Sequence, residues 1–313
     1  TATSEVDFSF LVERADGRQF SYSRGSSTLT TSYESASTSK LISAIIILRL
    51  VDQGYLTLNS KPQDFITSWP ILSTDPLYNM TLRNLLSFTS GLNDDPGCIN
   101  FNVSFDSCVN TIATTNENKG ITPGTQYYYA SSHLQVAGLM AVKAKGVATW
   151  QDVFTAFKNE TGLFSTATYD LPSTTNPRLA GGMHWTATEY LDFLRALKNG
   201  TLLSSTLQNE FLADQIPTAT VTIAYSPITA SSVGEVWHYG FGSWHECQDL
   251  VSYSCTPGTR ISSPGAYGGY PFWDRTKNYI GIVARQGTIG TFPNGLIIER
   301  AVRSDVEAWV ACQ

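Results

Sequence analysis

Val6, Phe8, Phe10 and Val12 alternate with more polar neighbours, a period-two pattern that predicts a strand near the start of the chain. Ala15-Asp16-Gly17 supplies a turn and residues 18–24 a second strand, which together make a hairpin. A Ser/Thr-rich connection over 25–35 leads into the apolar run Leu41-Ile42-Ser43-Ala44-Ile45-Ile46-Ile47-Leu48-Arg49-Leu50-Val51, which ends at Gly54. Its length and terminal glycine predict a buried helix, although its β-branched residues would also suit a strand. Turn-rich sequence follows, with helices predicted over 82–86, 132–144 and 188–197. Strand patterns return at 239–244, 267–273 and 279–285, and a periodic segment over 296–310 predicts a closing helix. Strands at both ends with helices between predict an α+β fold. Its antiparallel sheet is formed by the N- and C-terminal segments and flanked by helices, and a mainly helical domain is inserted. The expected boundaries are 1–56 plus 235–313 for the sheet and 57–234 for the insertion.

Composition narrows the class. The chain of 313 residues is 42% apolar and 15% charged, a globular balance that can build a core without help from disulfides. Its net charge of −6, from 26 acidic and 20 basic residues with no basic cluster, argues against a nucleic-acid partner. The longest apolar stretch, 41–48, falls far short of the roughly 20 residues that cross a bilayer, so no membrane span is expected. Asn79, Asn102, Asn159 and Asn199 each open an Asn-x-Ser/Thr sequon, which predicts glycosylation and a eukaryotic secreted, extracellular protein. The chain opens at Thr1 rather than Met, as a mature form would after loss of a signal peptide. Five cysteines agree with that compartment. Cys98 and Cys108 bracket one short loop, Cys247 and Cys255 another; local pairing within each is expected, leaving Cys312 over. No Cys-x-x-Cys, His-Glu-x-x-His or Gly-rich nucleotide loop is present, and no metal or cofactor is expected. A monomer is assumed.

Ser37-Thr38-Ser39-Lys40 matches Ser-x-x-Lys, but with 33 Ser and 8 Lys about one such spacing arises by chance. Position raises its weight, because the motif sits where a polar loop enters the apolar helix. A serine there would hold its own N–H beside a developing oxyanion, and a lysine three residues on shares its helix face. Desolvation at the start of a buried helix would lower the lysine pKa and let a neutral amine accept the serine proton. The bland alternative is a Ser37 that only caps the helix and a Lys40 that reaches to water. A Ser-His-Asp site using His133, His184, His238 or His245 is disfavoured, since no Gly-x-Ser-x-Gly elbow occurs.

Pro123-Gly124-Thr125-Gln126-Tyr127-Tyr128-Tyr129-Ala130-Ser131 precedes a predicted helix, and here the chain resembles the serine β-lactamase and penicillin-binding-protein superfamily. The class C branch, with its D-amino-acid peptidases and carboxylesterases, is the nearest in pattern. Further segments follow the family's order: 50–58 around Gly54, 81–92 ending in Thr89-Ser90-Gly91-Leu92, and Ala180-Gly181-Gly182-Met183-His184-Trp185-Thr186-Ala187 before a helix. The resemblance implies a Ser37 nucleophile, a Lys40 base, and Tyr129 as phenolic base or proton relay. Ser131 would stand in the usual Asn place and hydrogen-bond the Lys40 amine. The N–H groups of Ser37 and Ala266 would form the oxyanion hole. Ser263-Pro264-Gly265 falls where the family carries Lys-Thr-Gly, His-x-Gly or Trp-x-Gly, so Gly265 keeps the close backbone approach while Ser263 brings no charge. Ser131, Ser263, Gly265 and Tyr267 are assigned to substrate binding, and Arg260 is a possible replacement cation. The site would lie between the two domains. The preferred reading is a secreted carboxylesterase acting on a small-molecule ester through an acyl-enzyme. A D-amino-acid peptidase or β-lactamase acting on amides is the alternative, and a catalytically silent binding glycoprotein the third.

Overall fold

The computed structural model describes residues 3–312. β1 (Phe8–Glu13) and β2 (Gln19–Arg24) form the expected hairpin. The short β3 (Tyr33–Glu34) leads to the motif and to α1 (Ser39–Asp52). The central region holds α2 (Leu82–Leu86), α3 (Phe105–Asn116), β4 (Gln126–Tyr128), α4 (Ser132–Lys145), α5 (Trp150–Thr161), β5 (Thr168–Tyr169) and β6 (Met183–Trp185). Next come α6 (Ala187–Lys198), α7 (Ser205–Leu212), β7 (Thr222–Tyr225), β8 (His238–Tyr239), β9 (Trp244–His245) and β10 (Arg260–Ser262). The chain closes with β11 (Tyr270–Asp274), β12 (Tyr279–Ala284) and α8 (Phe292–Ala311). The main sheet is antiparallel and runs β2-β1-β12-β11-β10-β9-β8, so the first and last of the described strands pair side by side within it. Among the described residues no helix is long and apolar enough to cross a membrane.

The alternation in β1 does not mark one wet face. All six residues are buried, because helices cover the sheet on both sides. Phe8, Phe10 and Val12 face α8, while Glu13 on the opposite face pairs with Arg195 of α6. A helix from within 57–234 therefore packs across the sheet. α1 is buried on every side from Ser39 to Leu48, with Ile42, Ile45, Ile47 and Leu48 fully enclosed, which resolves its ambiguous pattern as a buried helix.

The segment expected as one strand over 239–244 is instead two short strands joined by a turn. Gly240 and Gly242 are the reason. Gly242 has a φ of +66°, and its N–H donates to the Leu86 carbonyl at 3.0 Å. A Cβ there would lie 2.5 Å from Ala44 Cβ and 2.6 Å from the Lys40 carbonyl, so the turn is pressed onto the first turns of α1. Gly242→Ala is expected to destabilise the protein by about 2 kcal/mol or more, from backbone strain plus overlap. A melting temperature equal to wild type would contradict that close approach. The strand expected from 267 likewise begins at Tyr270, because 265–269 form a turn in which the Gly268 N–H reaches the Gly265 carbonyl at 2.8 Å.

Candidate active site

Ser37 lies in a single 3-10 turn, 36–38, that feeds directly into α1. The turn is held from three sides. Thr38 Oγ1 donates to the Ser35 carbonyl at 2.9 Å and accepts from Trp185 Nε1 at 2.7 Å, while the Tyr190 hydroxyl donates to the Thr38 carbonyl at 2.7 Å. Ala36, just before the serine, has a φ of +43°, a conformation that a side chain disfavours. Strain of this kind persists only where the surroundings over-determine it, and here it aims the half-buried Ser37 hydroxyl out of the turn.

Lys40 is buried on the first turn of α1. Its Nζ stands 2.8 Å from Ser37 Oγ and 2.8 Å from the Ala180 carbonyl. Burial pushes its pKa down from an ordinary lysine value to about 7, with Arg178 adding repulsion and Asp95 opposing. An amine in that range is substantially neutral near pH 7 and can take a proton from the hydroxyl it touches. Nζ also lies 4.6 Å above the Tyr129 ring.

Tyr129 directly follows β4 and is clamped by aromatic rings. It stacks on Trp244 at 5.2 Å and meets Phe88 edge-on at 5.6 Å. Burial raises its phenol well above the ordinary value, while hydrogen bonding with Ser37 and Trp244 pulls the other way. At neutral pH this phenol keeps its proton and serves as a donor. Behind it, His133 is buried and neutral, its pKa pushed down to about 4. Its ring stacks on Phe88 at 4.9 Å, with Nδ1 beside Ser90 Oγ and Nε2 beside the Tyr128 carbonyl. His184 pairs with Asp170 and His238 with Asp214, and His245 is enclosed under β9, so these histidines belong to the walls.

On the opposite side, Ser263 Oγ donates to the Ser37 carbonyl at 2.9 Å. Gly265 packs so closely that a Cβ would stand 2.6 Å from the Ser35 carbonyl and 3.0 Å from Thr38 Cγ2. The N–H groups of Ser37 and Ala266 have no backbone partner among the described residues, and Ala266 is half-exposed. They are free to receive an oxyanion. Tyr267, half-buried, faces Glu34 and Arg178. A cavity of about 480 Å³ opens beside Tyr129, lined by Asp94, Asp95, Tyr128 and Tyr225 among others, a volume suited to a small molecule.

Two expected contacts are absent. Ser131 makes no hydrogen bond to Lys40: it stands at the start of α4, where its N–H donates to the Asp95 carboxylate at 2.9 Å, and the Ala180 carbonyl takes the amine instead. Arg260 does not reach the site, being enclosed among Asp274 at 3.0 Å, Glu299 at 2.7 Å and Glu246 at 3.3 Å. The sequence reading missed Ala180, Asp95 and Arg178. The Ala-Gly-Gly segment was visible, but a backbone acceptor leaves no residue-type signal.

Disulfides join Cys98 to Cys108 and Cys247 to Cys255, and Cys312 is exposed and free. Asn79, Asn102, Asn159 and Asn199 are all exposed.

The Beta-lactamase family model matches residues 11–294. Among solved structures, a candidate beta-lactamase from Bacteroides dorei DSM 17855 is 24% identical, with a TM-score of 0.79, over 95% of this chain and 92% of its own. A beta-lactamase/D-alanine carboxypeptidase from Yersinia pestis is 15% identical, with a TM-score of 0.76, over 97% of this chain and 94% of its own. EstCE1, a hydrolase with promiscuous acyltransferase activity, is 16% identical, with a TM-score of 0.73, over 95% of this chain and 93% of its own.

Proposed function

The chain belongs to the Beta-lactamase family of serine hydrolases, and on that premise we propose that it is a secreted carboxylesterase working through an acyl-enzyme on Ser37. The observation that carries this reading is the 2.8 Å contact between Ser37 Oγ and a buried Lys40 amine. Lys40 takes the serine proton as Ser37 attacks the ester carbonyl. The Ser37 and Ala266 N–H groups hold the oxyanion, and Tyr129, protonated at neutral pH, gives its proton to the departing alkoxide and is reprotonated by the Lys40 ammonium. Water then releases the acid by the same path. In this reading the site lies between the sheet region, 1–56 plus 235–313, and the inserted region, 57–234. Ser131 acts indirectly, through the start of α4, and Gly265 and Tyr267 form the substrate wall. The three groups are together and free, which speaks against a silent binding protein. Exposed sequons at Asn79, Asn102, Asn159 and Asn199 and two disulfides support export and glycosylation.

Ester preference rests on the strand opposite Ser37. The Ser263 hydroxyl is engaged by the Ser37 carbonyl and carries no charge, and Arg260 is locked in its own carboxylate cluster. A substrate carboxylate placed against that strand finds no cation. A charged hydrogen bond contributes about 1.5–3 kcal/mol against roughly 1 for a neutral one, so its loss costs about tenfold. A short neutral p-nitrophenyl ester is expected to exceed a chromogenic cephalosporin and a D-alanyl peptide in kcat/KM. A clear win for either of those two would sink the esterase reading in favour of a β-lactamase or peptidase. Ser263→Lys should move preference toward both.

A further inference from the structure

Every arginine in the chain but one has its guanidinium hydrogen-bonded or ion-paired among the described residues; Arg178 is the exception. Its Nε is enclosed, with no partner among the described residues. A half-buried guanidinium with an enclosed, unbonded Nε is a charged group short of protein partners, and a ligand beside it would supply them.

The backbone shows where it points. The Arg178 carbonyl accepts from the Gly181 N–H at 3.0 Å and the Gly182 N–H at 2.6 Å, closing a tight turn. That turn sets the Ala180 carbonyl against Lys40. The position a Gly181 Cβ would occupy lies 3.5 Å from Arg178 Cδ, 3.5 Å from the Ala36 carbonyl carbon and 3.6 Å from Ala36 Cα. The arginine stem therefore passes beside Gly181, on the side of that glycine that also faces Ala36, the residue before Ser37. The charge it carries is felt on both sides of the serine, pressing Lys40 down and opposing the rise of Tyr267. Glu34, which also faces Tyr267, acts on that phenol in the opposite sense and does not pair with Arg178.

We propose that Arg178 is a specificity-determining residue that binds a carboxylate on the substrate, so that the natural ester is a half-ester or another acid-bearing ester. The inference rests on the hydrolase reading of the same site and deepens it. The cation missing from Ser263 on the strand stands instead on the Ala180 side of Ser37, and a carboxylate on that side completes its planar fork with two parallel N–H···O bonds. Acids that project toward the strand, as in cephalosporins, gain nothing from it.

The test compares the p-nitrophenyl monoester of glutaric acid with its methyl-capped neutral counterpart, in wild type and in Arg178→Gln. Taking the ratio of kcat/KM values cancels any effect of the substitution on Lys40, which both substrates share. Wild type is expected to favour the acid by about tenfold or more, chiefly in KM, and Arg178→Gln to bring the ratio to one or below. Arg178→Lys should keep part of the preference, as a point charge without the fork, and guards against a Gln variant that fails to fold. Equal ratios in wild type and variant, or a wild type that prefers the neutral ester, would overturn the proposal. Calorimetric titration with glutarate at low salt is the second arm. Binding to wild type that is lost in Arg178→Gln supports the carboxylate site even if neither ester is turned over, an outcome that counts against the hydrolase reading alone. No difference in glutarate binding refutes it.

Discussion

Ser37→Ala is expected to abolish ester hydrolysis and covalent labelling by a fluorophosphonate while leaving the fold intact. The Ser37 hydroxyl is half-exposed and engages only the Lys40 amine and the Tyr129 phenol, and the amine keeps the Ala180 carbonyl when the hydroxyl is gone. Surface-facing truncations of this kind change stability by about 0.5 kcal/mol or less. The kinetic loss is of another order. Removing the nucleophile of an acyl-enzyme mechanism costs about 10³-fold or more, since the remaining oxyanion donors cannot form the covalent intermediate. Intact-mass spectrometry after exposure to the probe decides the matter: an adduct of unchanged yield on the alanine variant would place the nucleophile elsewhere.

Lys40→Arg is expected to lose about three orders of magnitude in acylation. Arginine retains the positive charge but holds its proton at any accessible pH, so it cannot take one from Ser37. The sign of the pH dependence follows from the lowered pKa. Below about 7 the Lys40 amine is protonated and unable to act as base, so kcat/KM for a neutral ester should fall tenfold per pH unit on the acid side and level off above about 7. If the arginine variant acylates at close to the wild-type rate, or the acid limb is absent, the amine supplies charge alone.

The elements of this fold were legible where one segment carries its own burial. The apolar run at 41–51 announces a buried helix, and the pattern over 188–197 announces α6. Legibility fails where the cause is a distant neighbour. β1 reads as half-buried because its alternation contains Ser9 and Glu13, yet both are buried, one against Ser27 and the other against Arg195. The turn at 240–243 exists to clear α1, a contact across two hundred residues of sequence. The site behaves in the same way. Ser37, Lys40 and Tyr129 belong to segments with a recognisable order of residue types and come together in space. The group that holds the lysine amine is a main-chain carbonyl, and nothing in the identity of Ala180 marks it. Ser131 was assigned to that task by analogy, but Asp95 draws its backbone toward the start of α4.

The pairing of β1 with β12, Ser9 opposite Ala284, has a consequence for how the protein is made. On a ribosome adding roughly 5–20 residues per second, the β1–β2 hairpin emerges tens of seconds before its second neighbour exists. During that interval the inner edge of β1 and the apolar flank of α1 have nothing to cover them, and long-range pairings of this kind close slowly. A nascent chain stalled before β12 is thus a sticky intermediate that calls for chaperone cover. It is also an inert one, because Ser263 and Ala266 lie between β10 and β11, which join the sheet through β12. Synthesis itself defers the chemistry until β11 and β12 have been delivered.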